Sequence, residues 1–269
     1  MVQASLRRVR LFLAPSVARS ALVGAFFLLT SVSCSQSASE APEPSEPVVQ
    51  RVPVDPLTAG AIEGVVRFTG EVPKRTAIKM GRVAACANHS QEPAYYDRLL
   101  ASQGLLQNAF VTIVEGLEAY EFPPPTGAVE VDQLGCVYSP RVSAVRAGQD
   151  VTFINSDPTN HNVHTVSKAN RGMNFSMPSQ GMRTTKIFKK PEIMVRVKCD
   201  IHPWMGGWIG VQRHPHMAVT GRDGAFRFEG VPPGTYKVLA WHETLGTQET
   251  TVELAPRASG RAVFSFDAD

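Results

Sequence analysis

The sequence is short of charge, of cysteine and of helix-forming runs, and each shortage narrows what the chain can be. Charged residues make up 19% of its 269 positions, and 27 basic side chains nearly balance 24 acidic ones. Arg7, Arg8, Arg10 and Arg19 all fall within the first 33 residues. Once they are set aside, the formal charge of +3 turns to near −1. No basic excess then remains to hold a polyanion, so bulk electrostatics give no support to nucleic acid as a partner. There is no Ser-His-Asp arrangement, phosphate-cradling glycine loop or haem-attachment motif. Glu229, Glu243, Glu249 and Glu253 are scattered among strand and turn signals rather than paired for acid and base work. An enzyme is therefore the least favoured class, and the expectation is a protein without catalytic activity.

Long apolar runs are also missing. The longest near the N-terminus, Ala21 to Leu29, is too short to span a bilayer. Joined to its basic, acid-free flank and closing in small residues, it gives residues 1–33 the pattern of an export signal. Cys34 follows Ser31-Val32-Ser33, and small residues before a cysteine point to lipid attachment after cleavage, with ordinary cleavage nearby as the alternative. Residues 34–57 are rich in Ser, Pro and Glu and read as a solvated tether. The expected location is exported, periplasmic or cell-envelope, with membrane anchoring through the lipid. About 210 residues are left, enough for one large core or two small ones.

In that remainder, Pro and Gly recur while short alternating apolar runs return at regular intervals, as all-β domains require. The main strands expected are Ile62–Phe68, Ala109–Val114, Val151–Ile154, Ile193–Cys199, Trp208–Val211, Ala225–Phe228, Tyr236–Trp241 and Ala262–Phe266. The stretch 90–106 has room for a short helix.

The most informative residues lie in Ile193-Met194-Val195-Arg196-Val197-Lys198-Cys199-Asp200-Ile201-His202-Pro203-Trp204-Met205. The odd positions up to 199 are apolar while Arg196 and Lys198 take the other face, so strand alternation turns Cys199 inward. His202 and Met205 follow three and six residues on, close enough for one tight loop to wrap an ion. Pro203 restricts that loop, and Gly206 and Gly207 relieve crowding as the next strand begins. A thiol, an imidazole and a thioether form a soft-metal ligand set. Two imidazoles, one thiolate and a distant Met are the arrangement of electron-transfer copper sites. A second imidazole is needed, and His161 and His164 lie upstream, where the apolar strand Val151–Ile154 breaks at polar turn residues and resumes. An odd spacing places these two on opposite faces of a regular strand.

Here the chain resembles the cupredoxins, and the Cys199-x-x-His202-Pro-Trp-Met205 loop is most similar to that of the amicyanin and plastocyanin group. The resemblance runs from roughly Val129 to Val211. It includes Tyr138-Ser139-Pro140, the turn Ala147-Gly148-Gln149-Asp150-Val151 and the His161-Asn162 pair. It implies copper as the cofactor, held by His161, Cys199, His202 and Met205. Asn162 would tie the two ligand loops together, and His164 would be left at the surface or across the strands. A Cys86–Cys136 disulfide with Cys199 free suits this site, whereas a Cys136–Cys199 bridge would abolish it; both pairings are open. Cys86-Ala87-Asn88-His89 repeats the Cys-x-x-His spacing of zinc sites, but export favours a disulfide for Cys86. Met173, Met177 and Met182 offer either a Cu(I)-transfer patch or ordinary loop packing, and packing is favoured. Trp208 is expected to pack and Trp204 to be exposed.

A second resemblance rests on Thr220-Gly221-Arg222-Asp223-Gly224 before Phe226-Arg227-Phe228, and on Val231-Pro232-Pro233-Gly234-Thr235-Tyr236 before Leu239-Ala240-Trp241. These residues resemble the carboxypeptidase regulatory-like domain, a small transthyretin-like sandwich. Its opening strands are similar to Gly60–Phe68, with Val72-Pro73, and to Ala109–Val114. The expected fold is therefore all-β: a cupredoxin-like Greek-key β-sandwich, residues 127–213, packed with or inserted into a second small β-sandwich. Residues 58–126 plus 214–269 would form that second, discontinuous sandwich. The alternatives are one elaborated sandwich, or two separate domains with the N-terminal flank belonging to the copper module. The function implied is single-electron transfer in the cell envelope, with a redox partner protein or a copper donor or acceptor as partner. A copper carrier or sensor and a non-metal, carbohydrate-binding-like envelope module are the other readings.

Overall fold

A computed structural model describes residues 50–81, 83–87 and 93–268. The leader with Cys34, most of the expected tether and His89 lie outside the described residues. The fold class is all-β. The single helix among the described residues is the four-residue turn Ala84–Ala87, and no helix there is long and apolar enough to cross a membrane.

The first and last long strands lie side by side. Ser259–Asp267 alternates strictly, with Gly260, Ala262, Phe264 and Phe266 buried and the residues between them exposed. It pairs in parallel with Gly60–Thr69 over nine positions, from Ala61 opposite Ser259 to Thr69 opposite Asp267. Parallel neighbours cannot be joined by a tight turn, so the chain between them must travel. Gly64 is required at this pairing, because a Cβ there would run into the Ala262 carbonyl and the Phe226 ring. Ala225–Val231 covers the other edge of Gly60–Thr69. A second sheet, ordered Met217–Val219, Phe110–Glu115, Gly234–His242 and Gly246–Leu254, packs against the first. Ile62, Val66, Leu106, Val111, Ile113, Tyr236, Val238, Phe264 and their neighbours form the core between them.

Residues 129–212 supply two further sheets. One is ordered Met182–Ile187, Asp150–Asn155, Val129–Leu134, Val137–Ser139; the other Asn174–Met177, His161–Val166, Glu192–Lys198, Gly206–Gln212, Val142–Arg146. Their core holds Val131, Val145, Val151, Phe153, Val163, Val195, Val197 and Ile209, and extends to Cys199 and Met205. A third, smaller cluster of Phe110, Val142 and Met194, with Trp208 and Trp241 against it, joins strands of the two sandwiches. At this seam Gly210 passes so close to Phe110 that a Cβ would strike its ring. Met194 reaches the seam because the register between Glu192 and Val195 is broken by a bulge, with φ of 68° at Met194.

Two details differ from the sequence reading. The helix given room in 90–106 is not formed over its described part: Leu100–Ser102 and Leu105–Gln107 make a hairpin instead. Gln103 and Gly104 both have positive φ, 54° and 73°, the two-residue turn that joins antiparallel strands and that no helix accommodates. Within the expected tether, Val52–Pro53 pairs in parallel with Tyr120–Glu121.

Candidate metal centre

Strand register sets the site at one end of the second sandwich. His164 lies opposite Lys198 in an antiparallel pair. Carried three residues further, that register sets position 161 level with the loop that follows Cys199. His161 is the first residue of its strand and Cys199 comes just after its own. Alternation does the rest: Val195, Val197 and Cys199 are buried, while Arg196 is exposed. In the loop Cys199–Met205, the Cys199 amide donates to the Met205 carbonyl at 3.3 Å and the Met205 amide to the His202 carbonyl at 2.9 Å. Ile201 and Pro203 are turned outward, and His202 and Met205 inward. Gly207 follows where a side chain would crowd the Arg141 carbonyl at 3.1 Å and Tyr138 at 3.4 Å.

Three donor atoms converge. Nδ1 of His161 lies 2.9 Å from Nδ1 of His202, and Sγ of Cys199 lies 3.7 Å from the same His202 nitrogen. All three fall within 4.8 Å of one another. None of the three residues is more than 2% exposed, and Met205 is 1% exposed within the same cluster. Cys199 is a free thiol. For a first-row cation about 2.0 Å from nitrogen and about 2.3 Å from sulfur in a trigonal plane, the nitrogen and sulfur would be about 3.7 Å apart. The His202 to Cys199 separation meets that value. The two nitrogens would spread by about half an ångström. The donor set therefore fits a soft or borderline cation such as copper.

Neighbouring groups prepare these donors. Asp157 Oδ2 sits 2.9 Å from Nε2 of His161, so the imidazole donates its Nε2 proton to the carboxylate and keeps the Nδ1 electron pair for the centre. The carboxylate is itself fixed by the amides of Gly135, at 2.7 Å, and Cys136, at 2.8 Å. Burial opposes charge on His161, but Asp157 and Cys199 outweigh it, and the imidazole is raised above its ordinary value. Burial likewise opposes a thiolate at Cys199. His161 and the backbone amides of Asn162, His202 and Ile201 overcome it, and the thiol is lowered. His202 is lowered by burial and by the neighbouring His161. The shifts of His161 and Cys199 share one cause, a thiolate facing a protonated imidazole, and a metal bound there would have to displace that proton.

Asn162 links the two loops. Its Oδ1 accepts from the Asp200 amide at 2.7 Å, and its Nδ2 donates to Asp200 Oδ2 at 3.1 Å and to Asn174 Oδ1 at 2.8 Å. Tyr138 donates its hydroxyl to the Asn162 carbonyl at 2.8 Å. His164 is turned away from the donors and pairs with Asp200 at the surface, at 2.8 Å.

Cys86 and Cys136 are joined in a disulfide beside the centre. Cys86 Sγ lies 3.7 Å from Nε2 of His202, and Trp204 Nε1 donates to the Cys136 carbonyl at 3.0 Å. Trp204, expected to be exposed, is half-buried, because its indole packs on His202 and is anchored by that hydrogen bond. Met177 is fully buried opposite His161, and Met173 and Met182 are half-buried against the same core, so these thioethers do not form an open patch. Two features escaped the sequence reading: the Asp157 carboxylate, whose signal was its position four residues before His161, and the approach of Cys86 to His202, for which no local signal exists.

No family profile matches the sequence, and no curated protein matches it at a significant level. Among solved structures, a point mutant of amicyanin with Cu(I) is 26% identical, covering 32% of this chain and 83% of that one, with a TM-score of 0.29. A purple cupredoxin from Nitrosopumilus maritimus is 22% identical over 31% of this chain and 99% of that one, TM-score 0.27. A copper-containing nitrite reductase from Thermus scotoductus SA-01 is 26% identical over 37% of this chain and 25% of that one, TM-score 0.28. Each overlap is confined to well under half of this chain.

Proposed function

We propose that this chain is an exported, mononuclear copper-binding protein of the cupredoxin type that passes single electrons in the cell envelope and is not an enzyme. The observation that carries the reading is the convergence of His161 Nδ1, His202 Nδ1 and Cys199 Sγ within 4.8 Å, in a pocket closed to water. Copper, when bound, supplies two adjacent oxidation states. His161, Cys199 and His202 are the residues that would hold it, with Met205 as the weak fourth ligand. The protein's own contribution is rigidity. Asp157 fixes the His161 ring, Asn162 ties the loop of Asp200 to the strand of His161, and the disulfide segment presses on His202, so the donors have little freedom to rearrange when charge changes. A redox partner protein would dock at this end of the sandwich, where Ile201, 47% exposed, and Pro203 flank the buried ligands. In this reading residues 127–213 are the copper module, inserted in a carboxypeptidase regulatory-like sandwich made from both flanks; the order of the four larger sheets supports that partition for the strands, while Ile78, Met80 and Cys86 of the N-terminal flank pack in the core of the copper module.

The buried Met177 and half-buried Met173 and Met182 favour electron transfer over copper carriage, because a transfer patch must be open to a partner. The test is titration of the metal-free full chain with Cu(II). One equivalent should give an intense visible band from sulfur-to-copper charge transfer, lost in Cys199→Ser. A colourless chain that binds no copper with Cys199 reduced would overturn the proposal.

A further inference from the structure

The imidazole of His202 is addressed from both edges. Its Nδ1 faces Cys199 and His161, while its Nε2 faces Cys86 Sγ at 3.7 Å. Cys86 comes from a segment 116 residues away in sequence. Cys86, Cys136 and His202 bring one donor atom each to within 4.8 Å of one another, and all three are buried. A simple staple between the 83–87 turn and the strand end at 134–137 needs no imidazole beside its sulfurs. As a disulfide, the pair is a poor ligand. As two thiols it becomes, with Nε2 of His202, a two-sulfur, one-nitrogen soft-metal set.

We propose that the reduced, dithiol form of this chain holds Cu(I) at a second site made of Cys86, Cys136 and Nε2 of His202, and that closing the disulfide abolishes it. The chemistry balances with a dithiol or phosphine as reductant. The reductant gives two electrons and, with two protons, the Cys86–Cys136 bond is replaced by two S–H bonds while the reductant is oxidised. Cu(I) then displaces the two thiol protons to solvent and forms two sulfur bonds with no change in its own oxidation state. The site goes beyond the proposed electron-transfer centre: it shares His202 with that centre but uses the opposite nitrogen and different sulfurs.

The test uses the full chain carrying Cys199→Ser, which removes the thiolate of the first centre and leaves the second intact. It is titrated anaerobically with Cu(I) against a chromophoric chelator, once as the disulfide and once after reduction by a phosphine. The expected result is no copper taken from the chelator by the disulfide form and one equivalent taken by the dithiol form. Adding Cys86→Ala and Cys136→Ala should abolish that gain. Equal uptake by both forms, or an equivalent retained in the triple variant, overturns the proposal. A second readout does not depend on these variants: in the reduced wild-type chain, Cu(I) should protect Cys86 and Cys136 from alkylation, read by mass. Alkylation of both at an unchanged rate overturns it equally. Failure of the electron-transfer reading shows elsewhere, as an oxidised wild-type chain that takes up no copper.

Discussion

The carboxylate of Asp157 and the Nε2 of His161 lie 2.9 Å apart, with the two residues no more than 1% exposed. That contact decides which nitrogen of His161 carries the proton, and so which one faces Cys199 and His202. Asp157→Asn can still accept a hydrogen bond but loses the charge that holds His161 basic; Asp157→Ala loses both. Copper affinity of the alanine variant should fall by about 10- to 100-fold, the usual scale for removing a partner of a ligating imidazole. The asparagine variant should fall between it and wild type. Competition with a chelator of known affinity measures this.

Asn162 bonds the Asp200 amide at 2.7 Å while its own backbone carbonyl receives the Tyr138 hydroxyl at 2.8 Å. Asn162→Ala leaves that half-buried amide without its acceptor, at a cost of roughly 1–3 kcal/mol. Denaturant unfolding of the metal-free protein should show a lower midpoint at unchanged m-value. In the loaded protein the visible band should shift, since the ligand loop is no longer tied to the His161 strand.

Acid should weaken the fold well above the range where carboxylates titrate. His214 and His216 stack on each other and meet Phe122 edge to face, at 4% and 3% exposure. Burial first, then the charges of Arg213 and Arg146, push His214 down to about 4 against the hydrogen bond to Ile113 and the Glu118 charge. Burial first, then His214 and Arg146, push His216 down to about 3. Their folded values lie below the unfolded value near 6.5, so the unfolded chain binds more protons in between. Their contribution is complete above about pH 6.5 and is lost as pH falls toward about 3. His216→Phe should flatten this slope between pH 6 and 4, measured by thermal unfolding against pH. Glu192, held at about 2 against burial by the Lys168 amide, Ser167, Asn170 and the Ala169 amide, adds stability that is complete above about pH 4.5 and is lost only as pH falls below that, toward about 2.

At the seam between the two sandwiches, Gly210 faces the ring of Phe110 with Met194 Cε at 2.9 Å from where a Cβ would stand. Gly210→Ala should destabilise by about 1–3 kcal/mol through overpacking. Gly210→Ala combined with Phe110→Leu should recover part of that loss, a coupling read from a double-mutant cycle in denaturant.

Much of the fold was legible because period-two alternation is strong where one face is buried. Phe226 and Phe228 are buried while Ala225, Arg227 and Glu229 between and beside them are exposed, and Ala262, Phe264 and Phe266 repeat the pattern. Gly246–Leu254 was not legible: its Thr, Gln and Glu residues cover an edge, and only Val252 and Leu254 are buried. Met182–Ile187 was missed for the same reason, with no residue of it fully buried. The hairpin at Leu100–Gln107 was hidden because Gln103 carries a positive φ that its residue type does not announce. At the site, the spacing of Cys199, His202 and Met205 is a local property of one loop, which sequence displays directly. The contact of Asp157 with His161 depends on how one turn is held by the Gly135 and Cys136 amides, and that of Cys86 with His202 on how segments 116 residues apart meet. Those are tertiary facts with no periodic signature.

In the proposed centre one sulfur and two imidazole nitrogens would hold a single copper ion. X-ray absorption at the copper edge of the loaded full chain tests it directly. The expected spectrum shows one sulfur at about 2.3 Å and two nitrogens at about 2.0 Å, with the sulfur lost in Cys199→Ser and one nitrogen lost in His161→Gly. A shell of oxygen and nitrogen alone, unchanged by either substitution, would contradict it.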